Sequence, residues 1–116
     1  MFRGVLHAHV HTTSPDVEAE FNAWYDNIHL IEIMSKFPQI SRAERFRIAP
    51  DQPPGSGALP LHRYLTVYEI EVPDVQRFAA DLVAALEDGT LTPSDTIDFS
   101  ECAPSLVFYE QCGPIA

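Results

Sequence analysis

Histidines 7, 9 and 11 alternate within the segment FRGVLHAHVH, and a fourth, His29, follows Tyr25 by four residues. An imidazole titrates near neutrality, so each can serve as a general acid, a general base or a metal ligand. On a strand, alternate side chains share a face at about 6.6 Å spacing. His7, His9 and His11 therefore form one row. Such a row has three uses. It can start a zinc or iron site, with His29, Glu32 or His62 as third donor. It can put His9 or His11 beside His29 in a metal-free acid–base pocket. It can also lie hydrogen-bonded against a second subunit. The spacing is weakly specific, and no metal is assigned from it.

Tyr25 and His29 are helix neighbours, with Glu32 on the same flank. The imidazole would move a proton, and the phenol would steer it or donate to a developing oxyanion. By residue type alone, a half-exposed His bonded to a nearby loop is the commoner outcome. Arg42, Arg45, Arg47 and Arg63 are four of the seven cationic residues. Arg45 is the candidate to hold an anionic substrate group. Pairing with Glu44, Glu69 or Glu71 is the more ordinary use of such residues. Trp24, Tyr64 and Tyr68, with His7 and His11, complete the set expected to touch a flat, partly hydrophobic substrate. The chain has no G-x-S-x-G, no phosphate loop and no dinucleotide fingerprint, and no cofactor is expected.

The 116 residues carry Lys+Arg 7 against Asp+Glu 17, a net charge of -10, which disfavours a nucleic-acid or anionic-membrane partner. One domain over residues 1–116 is expected from this length. A 46% hydrophobic fraction excludes wholesale disorder. No apolar run approaches the ~20 residues of a membrane span. The first ten residues lack a signal-peptide pattern, so a cytoplasmic location is expected. Cys102 and Cys112 bracket an extended segment, too far apart to bond, and are expected as free thiols.

The elements that must position these groups follow from periodicity. Residues 2–11 read as a strand with Leu6, Ala8 and Val10 on the face opposite the histidine row. Ser14-Pro15-Asp16 opens a helix whose apolar stripe is Val17, Phe21, Trp24, Ile28 and Ile31; Pro38 ends it. On that wheel Tyr25 lies about 80° and His29 about 120° from the stripe centre. Residues 39–49 and 62–72 read as strands around a Pro-rich loop at 50–60. Pro73-Asp74 opens a second helix with Val75, Phe78, Ala79, Leu82 and Leu86 inward and Gly89 as its cap. Residues 90–103 are polar and turn-rich, and 105–112 give a last strand. The order β-α-β-β-α-β predicts a ferredoxin-like α+β fold, a four-stranded antiparallel sheet with both helices on one face. The bare face predicts a two-fold homodimer packed sheet to sheet. Which face carries the histidine row is left open by the sequence.

The run Glu20-Phe21-Asn22-Ala23-Trp24-Tyr25-Asp26-Asn27-Ile28-His29-Leu30 resembles the first-helix signature of the dimeric α+β barrel superfamily, most nearly its EthD-like members. Ser41 to Arg47 resembles the Arg-rich second strand, and Tyr64-Leu65-Thr66-Val67-Tyr68-Glu69 the third. Related sequences often place a Pro soon after the helix His; here Leu30-Ile31-Glu32 lets the helix run on. The resemblance implies a homodimeric α+β barrel with a pocket between helices and sheet. It also implies a cofactor-independent isomerase, cyclase, dehydratase or monooxygenase acting on a cyclic, aromatic or polyketide-like substrate. His29 would be the proton-transferring group, assisted by Tyr25, with His9 as a second polar pocket residue. A non-catalytic small-molecule-binding protein of the same fold, and a metal-dependent enzyme using the strand histidines, are the competing readings.

Overall fold

The structure is a computed structural model that describes residues 1–116. Four strands, β1 (Phe2–Val10), β2 (Ile40–Arg47), β3 (Tyr64–Val72) and β4 (Ser105–Glu110), form one sheet. Their spatial order is β2-β3-β1-β4, and every neighbouring pair is antiparallel. Between β1 and β2 a 3-10 turn at Pro15–Val17 leads into α1 (Glu18–Trp24), a π-helical turn (Tyr25–His29) and α2 (Leu30–Lys36), one continuous helical run. Between β3 and β4 lies α3 (Val75–Glu87). This α+β arrangement is compatible with a ferredoxin-like fold.

Burial decides the faces of the sheet. Leu6, Ala8 and Val10 of β1 and Tyr64, Thr66, Tyr68, Ile70 and Val72 of β3 are buried. Leu6, Ala8, Tyr68 and Ile70 pack in one core with Ile33 and Phe37 from the first helical run and with Phe78, Leu82 and Ala85 from α3. Both helical layers therefore cover the same face. A smaller cluster, Val10, Phe21, Tyr25 and Tyr64, closes the end nearer the first helix.

Two glycines are required by geometry. A Cβ on Gly4 would sit 2.0 Å from the Tyr109 carbonyl oxygen, so β4 can approach β1 there only because that side chain is absent. Gly89 adopts φ 82° and ends α3, as the sequence pattern predicts. At the other end of α3 the Asp74 carboxylate accepts the Arg77 backbone N–H at 3.1 Å. Ser14, by contrast, makes no side-chain cap.

The first helix departs from its expected stripe. Ile28 and Ile31 are 40% and 63% exposed, and the buried positions are Phe21, Tyr25, His29 and Ile33. The π turn is the reason. The Leu30 N–H bonds the Tyr25 carbonyl five residues back, so one extra residue enters that turn. This shifts the residues that follow Tyr25, so that His29 and Ile33 come onto the inner face in line with Phe21 and Tyr25.

Candidate active site

A cavity of about 490 Å³ opens on the helix-covered face, under the segment that joins α3 to β4. Of its 21 lining residues 15 are hydrophobic, so an apolar guest is favoured. Leu6, Ala8, Ile33, Leu82 and Leu106 form much of the wall, with Tyr25, Tyr68 and His29 as its principal polar groups. A second hollow, at Met1, Arg3, Glu110 and Gln111, is polar and holds none of the candidate residues.

His29 comes from the π turn. Its ring stacks on Trp24, centroids 4.7 Å apart at 24°, and meets the edge of Tyr25 at 4.8 Å. The residue is only 8% exposed, and its Nδ1 is buried with no hydrogen-bond partner. Leaving such an atom unpaired costs about 1–3 kcal/mol. Burial pushes its pKa down to about 4, against an upward pull from Glu32 and a further downward push from Arg45. At neutral pH the imidazole is uncharged and free to accept a proton.

The Tyr25 hydroxyl accepts from Thr66 Oγ1 at 2.9 Å and lies 3.3 Å from the Tyr68 hydroxyl. Burial raises the pKa of both phenols, most strongly at Tyr68. Both therefore remain proton donors. Behind Tyr25 the Arg45 guanidinium stands 4.4 Å over the ring centroid, within cation–π range. Its nitrogens are held by Asp26 Oδ1 and Asn22 Oδ1, each at 2.8 Å. Asn22 in turn donates to the Tyr64 hydroxyl at 3.3 Å. Arg45 and Tyr64 thus brace Tyr25 from outside the cavity wall. Of the arginines expected to pair with carboxylates, Arg42 takes Glu44 and Arg63 takes Glu18, each at 2.7 Å, and Arg45 takes Asp26.

The rim is tied down at Thr92. The Trp24 indole N–H donates to the Thr92 carbonyl at 3.2 Å, and the Thr92 N–H reaches both Glu32 carboxylate oxygens at 3.1 Å. Those hydrogen bonds from Thr92 hold the Glu32 carboxyl below its ordinary pKa, aided by nearby Lys36 and His29. Further along, Thr13 N–H bonds the Thr96 carbonyl and Asp98 N–H bonds the His11 carbonyl, both at 2.9 Å. Thr66, which bonds the Tyr25 hydroxyl, and the 91–106 wall are contributors to which the sequence reading gave no role at the site. Their only signal was the isolated apolar residues Leu91, Ile97 and Phe99 within a polar stretch.

The histidine row lies elsewhere. His7 and His9 face away from the helices, so neither stands beside His29, and His9 is not the second polar pocket residue that the sequence led us to expect. The alternation that buries Leu6, Ala8 and Val10 forces this result. His9 lies 6.0 Å from His7 and 5.7 Å from His62, centroid to centroid, and His7 packs on Tyr109 at 4.8 Å. His11 Nδ1 accepts the Arg63 backbone N–H at 3.2 Å, a bracing contact and not one to a substrate in the cavity. No three His, Cys, Asp or Glu side chains are placed to share a metal ion. Of the nine residues singled out, Trp24, Tyr25, His29 and Tyr68 meet at the cavity. Arg45 and Tyr64 lie behind it, and His7, His9 and His11 do not reach it.

Compared with protein-family models, curated proteins and solved structures, the chain finds no match. The thiols of Cys102 and Cys112 are unpaired, and no helix is long and apolar enough to cross a membrane.

Proposed function

We propose that this is a cofactor-independent enzyme of the EthD-like, dimeric α+β barrel type, in which His29 moves a proton on a cyclic, partly hydrophobic substrate. The observation that carries the reading is an imidazole more than nine-tenths buried, with an unpartnered nitrogen, on the wall of an apolar cavity. Isomerisation, cyclisation, dehydration and oxygenation of aromatic or polyketide-like rings all begin with loss of a proton beside a carbonyl or phenol. One neutral imidazole serves any of them as base.

A pKa near 4 makes His29 a weak base toward an empty site. The forming enolate changes that. Negative charge beside the ring, in a cavity that excludes water, favours the imidazolium and raises its pKa during the reaction itself. The Tyr25–Tyr68 hydroxyl pair supplies donors for the developing oxyanion, and Arg45 over the Tyr25 ring adds positive potential without entering the cavity. The test is hydrogen–deuterium exchange at the acidic carbon of a panel of cyclic ketones in D2O, read by NMR. The wild-type chain is expected to accelerate exchange and His29→Ala to run at the buffer rate. Equal rates for the two proteins would reject His29 as the base.

The second copy follows from the uncovered sheet face. Phe46, Val107 and Tyr109 there are 47%, 36% and 53% exposed, beside half-buried Val5, Leu65 and Val67. Packing two such faces about a two-fold axis buries this surface and closes the barrel. Light scattering on the eluted protein is expected to give the mass of two chains; the mass of one would remove the dimer.

A further inference from the structure

The uncovered sheet face carries its histidines on an inner strand, since β1 lies between β3 and β4. Residues directly opposite one another in a sheet share a face. His7 is therefore flanked by Val67 and Val107, and His9 by Leu65 and Ser105. The His62 ring, from the segment that leads into β3, stands 5.7 Å from His9, and His7 stands 6.0 Å from it. Tyr109 packs on His7 at 4.8 Å. A second copy laid on the apolar part of this face covers His7 and His9 with it.

The row has no anionic partner. The carboxylates of this face are Glu44, Glu69 and Glu71. Arg42 holds Glu44 at 2.7 Å and Arg3 holds Glu71 at 3.2 Å, while Glu69 is exposed, opposite Val5. At the other end Arg63 pairs with Glu18, and its backbone N–H donates to His11 Nδ1. His62 Nε2 donates to the Ala103 carbonyl at 2.8 Å. Burial, His62 and His7 all lower the pKa of His9. A neutral imidazole tolerates an apolar interface, but an imidazolium there loses its water with no counter-charge to replace it. Neighbouring imidazolium ions at this spacing also repel.

Given the sheet-to-sheet dimer proposed above, we infer that it is gated by pH: His7 and His9 of each copy lie neutral in the interface, with His62 beside them, and protonating them separates the chains. The sign is opposite to that of the overall charge. Between pH 7.5 and 5.5 ordinary carboxylates stay ionised, and the groups that gain protons are chiefly imidazoles. His29, at about 4, titrates below this window. The charge of -10 on each chain therefore shrinks, and the repulsion between two copies with it. That change by itself would tighten the dimer on acidification, so weakening marks the buried row.

Sedimentation equilibrium of the full chain at pH 7.5 and 5.5, at fixed salt, tests this, with circular dichroism to follow the fold. One imidazole per chain held neutral in the dimer raises its Kd about a hundredfold over this interval. The triple variant His7→Gln, His9→Gln, His62→Gln keeps polar, uncharged side chains and is expected to dimerise equally at both pH values. If it fails to fold, the single variants His7→Gln and His9→Gln take its place, each expected to reduce the rise. A dimer equally tight or tighter at pH 5.5 would overturn the inference and leave the dimer standing. So would a pH dependence undiminished in the variants, or a wild-type chain that unfolds at pH 5.5, since dissociation would then follow unfolding. The mass of one chain at both pH values would remove the dimer and the inference together.

Discussion

Strand β1 carries two sets of side chains one residue apart, and they have opposite fates. The even set, Leu6, Ala8 and Val10, is buried and helps wall a cavity. The odd set, His7 and His9, holds the groups that looked most like chemistry, yet it faces the uncovered side of the sheet. The effect on an imidazole differs accordingly. Burial and the neighbouring His62 and His7 lower the pKa of His9, whereas on the covered side His29 is driven to about 4 by burial against Trp24 and Tyr25. A row of like residues on an open face is thus less perturbed than a single one enclosed beside a void.

The largest expected contrast is catalytic. His29→Ala should lower ketone exchange by the 10²–10⁴-fold typical of a lost general base. His9→Ala should leave the rate within about twofold, as expected of a group outside the site. A large loss at His9 would break the contrast between the two faces. Next comes stability. Leu6→Ala, at a site 1% exposed, should cost about 2–5 kcal/mol in urea unfolding. Val5→Ala on the other face should cost less than about 1 kcal/mol in the monomeric form. Equal losses would mean that the open face is covered within the chain.

The pH dependence sharpens the same point. His29 has a folded pKa of about 4 against an unfolded value near 6.5. Between these values the unfolded chain binds the extra proton, so stability is full above pH 6.5 and falls as pH drops toward 4. The loss amounts to about 3 kcal/mol at most. His29→Phe should remove that slope from the unfolding curves; an unchanged slope would place its origin elsewhere. The smallest effect is local. Glu32→Ala frees the Thr92 N–H, which should exchange faster with solvent while amides in β3 stay protected. Unchanged exchange at Thr92 would show that the Trp24 contact alone holds the rim.

Much of the architecture was legible in advance. Each strand survives with its ends trimmed by a few residues at most, because alternation and turn residues act over short distances. Asp74 and Gly89 frame α3 for the same local reason. The site was legible only in part. Tyr25 and His29 were found through their motif and spacing, but a uniform 100° step put them at the border of the helix. That step also put Ile28 and Ile31 inside, where the structure has them exposed. The error is a single turn, in which Leu30 bonds Tyr25 and not Asp26. Arg45 was a candidate for an anion, with carboxylate pairing the more ordinary expectation; pairing is what folding gives, but with Asp26, and with Asn22 beside it, across 19 and 23 residues of chain.

By itself, then, the sequence determined the order of the elements, the two-sidedness of each strand and the pairing of a phenol with an imidazole on one helix. All are local patterns of period two or near four. Only the tertiary structure decided that the helix takes a π turn, that the histidine row faces away from it, and that the 91–106 segment returns to wall a cavity over Tyr25, Tyr68 and His29. Those outcomes depend on contacts between distant residues, where the free energy of burying Phe21, Tyr25 and Ile33 together outweighs the preference of any one turn.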